Sequence, residues 1–91
     1  MDEKTLETLR FLKKAGAVFE VGAVTTFHCA RRSKGGDEFM ITVEVYDAGP
    51  DSSARYIVTA KRKDGKAATS GNSHERLDAA IAMVHWGELD V

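Results

Sequence analysis

The 91-residue sequence has one cysteine and almost no net charge, and each of these two scarcities excludes a class of protein. A single cysteine excludes an intramolecular disulfide framework and any metal site built from several cysteines. Thirteen Lys and Arg residues against fourteen Asp and Glu residues give a formal charge of −1. This balance excludes a generally basic nucleic-acid-coating protein and an acidic tail. No apolar run approaches the roughly 18 residues that a transmembrane helix requires.

The length allows one domain, residues 1–91, since typical domains have about 100–150 residues. A hydrophobic content of 43% with 30% charged residues is typical of an ordered globular domain. A large ligand cavity would take much of so small a core, so a dedicated small-molecule enzyme is disfavoured, and we expect no cofactor and no metal. The acidic start of the chain is not a secretory signal, and with the free Cys29 it predicts a cytoplasmic location.

The hydrophobic pattern predicts two helices that flank a set of strands. Leu6, Leu9 and Leu12 recur near helical spacing, which predicts a first helix over Asp2–Lys14. A second helix is predicted from Ser73 to Trp86, because its apolar residues recur at intervals of three and four. Its core stripe consists of Leu77, Ala80, Ile81 and Val84.

Between the helices, alternation of apolar and polar residues predicts three strands and a short fourth. Their predicted ranges are Ala17–Ala30, Glu38–Tyr46, Arg55–Arg62 and Ala67–Ser70. Short connections favour a meander, so we predict an α+β domain with a three- to four-stranded antiparallel sheet. The N- and C-terminal helices are expected to pack on one face of that sheet. The side chains expected to face the helices include Phe19, Phe39, Ile41 and Val58.

No arrangement of reactive side chains indicates catalysis. His28 and Cys29 are adjacent in a strand, so they point to opposite faces and cannot form a thiolate–imidazole pair. Cys29 shares its face with Phe27, which favours a core position. His74 and His85 are separated by about 16 Å of rise on the predicted helix, too far to share a metal. The sequence also has no nucleotide-binding or hydrolase motif, so we predict that the protein is not an enzyme.

Seven of the 13 basic residues are expected at one end of the sheet, because the first and third connections of a meander lie at the same end. They are Arg31, Arg32, Lys34, Lys61, Arg62, Lys63 and Lys66. Flexible glycine-containing loops at that end could bind a polyanion through its phosphates. The alternative is an ordinary set of solvated loops, partly neutralised by Asp37, Glu38 and Asp64.

The sheet face away from the helices is the second candidate surface. It is predicted to mix polar and apolar side chains, which is typical of an association surface. The residues expected to take part in protein interaction are Thr26, His28, Met40, Tyr46, Arg55, Ile57 and Trp86. The alternatives are an ordinary Thr-rich sheet face and, for Trp86, packing under the terminal residues Leu89 and Val91.

The order helix, three strands, helix resembles the double-stranded-RNA-binding domain over most of the chain. That family binds phosphates through a Lys-rich start to its second helix and a Gly-Pro-x-His loop between its first two strands. This chain has Asn72–Arg76 and Arg31–Asp37 at those places, so the resemblance implies the fold and no RNA site. The segment Arg55–Ile81 is also similar to the sheet-and-helix unit of HicB-type antitoxins, in its turn Ser70–Leu77.

The sequence therefore predicts a small non-enzymatic binding or adaptor domain that acts on an unidentified protein partner or by self-association. The alternative prediction is nucleic-acid binding through the basic end of the sheet. No membrane partner is expected.

Overall fold

The computed structural model describes every residue from Met1 to Val91 and has one antiparallel sheet with short helical elements. The elements, in chain order, are α1 (Glu3–Ala15), β1 (Ala23–Arg32), β2 (Glu38–Asp47), β3 (Tyr56–Arg62), β4 (Ala68–Ser70), α2 (Leu77–Ala82) and a C-terminal 3₁₀ helix (Trp86–Leu89). The strands lie side by side in chain order, and all three pairings are antiparallel. The predicted α+β class and the antiparallel meander are therefore confirmed.

Alternation along β2 gives the sheet one buried face. Ile41, Val43 and Val45 point to the same side and are nearly inaccessible to solvent. They pack with residues of β3 and of the C-terminal segment 80–89 into a single cluster, completed by Val58, Ala60, Ala80, Val84 and Leu89. We call the side that carries this cluster the core face, and the opposite side of the sheet the open face.

Helix α1 lies at one end of the sheet and not on the core face beside α2. Asp2 caps its first turn, since its side chain accepts a 2.7 Å hydrogen bond from the Thr5 N–H. Leu9 is the buried residue of this helix and lies against Gly49, in the turn between β2 and β3. The radius of gyration is 15.1 Å, whereas a compact chain of this length has about 12 Å. The position of α1 therefore makes the molecule elongated.

Two predicted elements, the first strand and the second helix, are longer than the observed ones. The first strand begins at Ala23 and not at Ala17, because Ala23 pairs with Asp47, the last residue of β2, and residues 17–22 have no strand beside them. Phe19 consequently does not face the helices but is 96% exposed.

The second helix begins at Leu77, not at Ser73, and ends at Ala82. His74 exchanges two backbone hydrogen bonds with Tyr56, of 2.9 and 3.0 Å, so its backbone extends the sheet and cannot open a helix. Trp86 belongs to the separate 3₁₀ helix.

A half-buried ion pair closes the turn on which α1 rests. Arg55 donates hydrogen bonds of 2.8 and 3.1 Å to the carboxylate of Asp47, and the Gly49 N–H donates a third of 2.8 Å. Burial by itself would raise the pKa of Asp47. The hydrogen bonds from Arg55 and Gly49, together with the charge of Arg55, outweigh burial and hold this pKa below its ordinary value.

We expect the Asp47→Asn variant to lose about 1–2 kcal/mol of stability at pH 7, because Arg55 is left half-buried without its carboxylate. A carboxyl group whose pKa is lower in the folded state stabilises the fold above its unfolded pKa, and this contribution disappears as the pH falls through the folded pKa. The difference between parent and variant should therefore shrink at pH 3. Urea unfolding at both pH values measures it.

Asp78→Asn is the matched control for this prediction. Asp78 also pairs with an arginine, Arg76, but both side chains are about two-thirds exposed or more. Such a pair contributes less than about 1 kcal/mol. If the Asp47→Asn loss were as small as the control's, or the same at pH 3 as at pH 7, the role of Asp47 would be contradicted.

Candidate interaction surface

The predicted polyanion-binding residues meet at one end of the sheet, where the turns 33–37 and 63–66 lie. All three of their arginines are bound to carboxylates of this chain. The pairs are Arg31 with Asp90, Arg32 with Glu38, and Arg62 with Asp64. The guanidinium groups at this end therefore have their charge balanced within the molecule.

Two of these arginines hold the C-terminal segment in place. Arg31 binds Asp90 through two hydrogen bonds of 2.9 Å, and both side chains are half-buried. The hydrogen bonds and charge of Arg31 lower the pKa of Asp90, with smaller contributions from the charges of Arg62 and Lys34. Arg62 lies 3.9 Å over the ring of Phe39 and donates to the carbonyl oxygens of the last residues. Arg31 and Arg62 therefore bind the C-terminal segment to the sheet.

The lysines of the predicted patch make no ion pair, but they are distributed over more than one surface. Lys34 and Lys66 lie in the turns, whereas Lys61 lies on the open face, opposite Thr42 in the register. Lys63 directly follows β3, and its N–H bonds to Met40.

The open face brings together several of the predicted protein-interaction residues. Thr26, His28 and Met40 are exposed there. Tyr46 and Ile57 are opposite each other and half-buried. The Tyr46 ring packs against Gly22, and its burial, followed by the charge of Glu20, raises the pKa of the phenol.

Two predicted interaction residues lie away from that group. Arg55 is held by Asp47 at the end of the sheet. Trp86 lies on the core-face side, where its indole N–H donates a 3.1 Å hydrogen bond to the Ile81 carbonyl oxygen and its ring packs against the core cluster. The predicted set is therefore divided between two sides of the molecule.

The outer edge of β1 is a candidate surface that the sequence analysis did not identify. β1 has ten residues, and its backbone has no neighbour on the side away from β2. Natural sheets protect such edges with prolines, charged residues, bulges or very short strands. The opposite edge strand, β4, has only three residues. In contrast, β1 contains no proline, and its first charged residue is Arg31.

Apolar side chains are exposed on both sides of this edge. Phe27 points to the core face but is 51% exposed, and Val24 on the open face is 55% exposed. α2 and the 3₁₀ helix pack on β3 and β4, so they leave the part of β1 that carries Phe27 uncovered. From Ala23 to Ala30 the strand has no charged residue, and its free backbone edge can form a ladder of hydrogen bonds with a further strand.

A second exposed apolar group lies on α1 and the segment that follows it. Its members are Phe11, Leu12, Val18 and Phe19. The total accessible surface of the whole chain is 6201 Å². A compact monomer of this mass exposes about 5,200 Å², so the chain exposes about 1,000 Å² in excess.

The structure has neither a metal-binding cluster nor a helix that could cross a membrane. No group of three or more His, Cys, Asp or Glu side chains is placed to hold a metal ion. Neither α1 nor α2 has the length and apolar character needed to span a membrane. Comparison with protein-family models, with curated proteins and with solved structures gave no match to this chain.

Proposed function

We propose that this chain is a non-enzymatic protein-interaction domain whose contact element is the outer edge of β1. The observation that carries the proposal is the ten-residue edge strand with no proline and no charge before Arg31. Edges of this kind bind an extended strand through main-chain hydrogen bonds, and side chains on alternate positions give the contact its specificity.

Polyanion binding is the weaker proposal for the same molecule. It needs several free cations on one surface, since affinity for phosphate backbones grows with the number of neutralised phosphates. Here Arg31, Arg32 and Arg62 are each bound to a carboxylate, which counts against it.

A photo-crosslinking amino acid at Thr26, on the free edge, should form covalent adducts with a neighbouring polypeptide when the protein is expressed in its own organism. The same group at Thr59 is the matched control, since it lies on the same face but on the interior strand β3. Gel mobility under denaturing conditions measures the adducts.

Adding the His28→Pro substitution should abolish the Thr26 adducts. The odd-numbered residues of β1 are the ones that bond to β2, so the His28 N–H points to the free edge. Proline removes this N–H and leaves the hydrogen bonds between β1 and β2 intact. Adducts that formed equally at Thr26 and Thr59, or that survived His28→Pro, would refute the β1 edge as the contact element.

A further inference from the structure

We propose that the partner at the β1 edge is a second copy of this chain, paired antiparallel with β1 about a twofold axis perpendicular to the sheet at Phe27. This inference rests on the proposed function, which assigns the contact element, and adds its occupant and register. The product is a continuous eight-stranded sheet with one isologous interface.

The hydrogen bonds of the sheet determine which β1 residues face the free edge. The Lys63 N–H bonds to the Met40 carbonyl oxygen at 3.0 Å, so the even-numbered residues of β2 bond to β3 and its odd-numbered residues bond to β1. Phe27 pairs with Val43, and the other odd-numbered β1 residues likewise pair with odd-numbered β2 residues. The outward N–H and C=O groups therefore belong to the even-numbered residues Val24, Thr26, His28 and Ala30.

This pattern is compatible with self-pairing. Outward groups must bond to outward groups, so even-numbered residues pair with even-numbered ones, and a twofold axis perpendicular to the sheet satisfies this condition. With the axis at Phe27, Thr26 pairs with His28 of the second copy, and Val24 pairs with its Ala30. The two Phe27 rings then occupy a non-hydrogen-bonded pair, the closer of the two antiparallel spacings. Aromatic cross-strand pairs stabilise sheets.

The two halves of β1 complement each other in this arrangement. Trp86 lies beside Cys29 and Arg31, so the end of β1 near the 33–37 turn is flanked on the core face, whereas Thr25 and Phe27 are bare. Antiparallel pairing places the exposed Thr25 end of one β1 strand beside the Cys29–Arg31 end of the other, which Trp86 flanks. It also brings Glu20, before β1, towards Lys34 of the second copy, a lysine without an ion pair, and it places no like charges directly opposite each other.

Disulfide trapping in purified protein tests both the occupant and the register. In a Cys29→Ser background, cysteine replaces Thr26, Phe27 or His28, one position per variant. With the axis at Phe27, only Phe27→Cys places two thiols directly opposite each other, so its covalent dimer should form at least about tenfold faster under mild oxidation than the dimers of the other two. Fastest trapping at Thr26 or His28 would overturn the register.

Sedimentation tests the occupant without any change at Phe27. The parent should associate into a species of twice 9.9 kDa, and Thr26→Lys, which puts two ammonium groups near the axis, should raise the dissociation constant at least about tenfold. Thr59→Lys is the control and should leave it unchanged. A protein that stays monomeric and forms no disulfide would overturn the second copy as partner, whereas the Thr26 photo-adducts would still decide the proposed function, because an adduct with a different polypeptide supports the edge alone.

Discussion

Replacing Leu89 with alanine is expected to lower the free energy of unfolding by about 2–5 kcal/mol. Leu89 is fully buried and, with Val58, is one of the two largest side chains that are completely enclosed. The 3₁₀ helix that carries Leu89 packs on β3 and β4, so the truncation leaves a cavity between this helix and the sheet. A chain of this length has a total stability of roughly 5–14 kcal/mol, so the loss would be a large fraction of it. Urea unfolding followed by Trp86 fluorescence gives the measurement.

Val91→Ala is the control for the Leu89 experiment. Val91 is the same kind of aliphatic side chain two residues further on, but it is 76% exposed. Its truncation should change the stability by no more than about 0.5 kcal/mol. Both variants need a low protein concentration, because association would add to the apparent stability. Equal losses at the two positions would contradict the burial of the 3₁₀ helix.

The first two strands illustrate which parts of the fold the sequence could predict. Period-two alternation identified β2 and its core residues, because one face of an antiparallel sheet is buried and the other is not. The same rule extended β1 back to Ala17, where the alternation continues although β2 has already ended at Asp47. Strand pairing is a property of two segments, and the pattern of one segment does not contain it.

The second helix was predicted too long for a similar reason. The apolar spacing from Leu77 to Val84 is helical, and the residues before it have capping character. The backbone of His74 nevertheless bonds to Tyr56, so a tertiary contact outweighs the local preference. Similarly, the position of α1 depends on contacts with Gly49 and Asp51 that lie about forty residues away in the sequence.

The sequence predicts two candidate surfaces, the basic end and the open face of the sheet, but not the outer edge of β1. Placing the charges on a meander correctly brought basic residues to one end, but side-chain pairing within the molecule is invisible at that level. The first strand of a meander is necessarily an edge, so the uncharged run from Ala23 to Ala30 was a usable signal. Period-two alternation assigns side chains to the two faces of a sheet and carries no information on which strand lies at its edge.

The contact between Gly71 and α2 depends on the absence of a side chain. A Cβ atom built on Gly71 would lie 2.8 Å from the Met83 carbonyl carbon and 2.9 Å from both the Met83 oxygen and the Val84 nitrogen. All three are backbone atoms, so no side-chain rotation relieves the overlap. Val84 is part of the core, and the Gly71 N–H bonds to the Val58 carbonyl oxygen, so neither segment can move freely.

We therefore expect Gly71→Ala to destabilise the fold by about 1–3 kcal/mol, because the end of α2 must shift away from the sheet. A loss of this size lowers the melting temperature by roughly 4–8 °C for each kcal/mol in a domain of 60–100 residues. Thermal unfolding by circular dichroism measures it. The substitution lies at the sheet edge opposite β1, so it should leave the rate of Phe27→Cys disulfide trapping in the folded protein unchanged.

Gly87→Ala is the matched control for this backbone contact. A Cβ atom there meets nothing within 4 Å, and the residue lies in the 3₁₀ helix with no unusual backbone angle. Alanine at such a position should be neutral or slightly stabilising, since it reduces the freedom of the unfolded chain. If Gly71→Ala were as harmless as Gly87→Ala, then the end of α2 would not lie as close to Gly71, the residue after β4, as the distances require. A loss of stability in Gly71→Ala but not in Gly87→Ala would instead show that the close approach of two backbones determines where the end of α2 lies against the sheet.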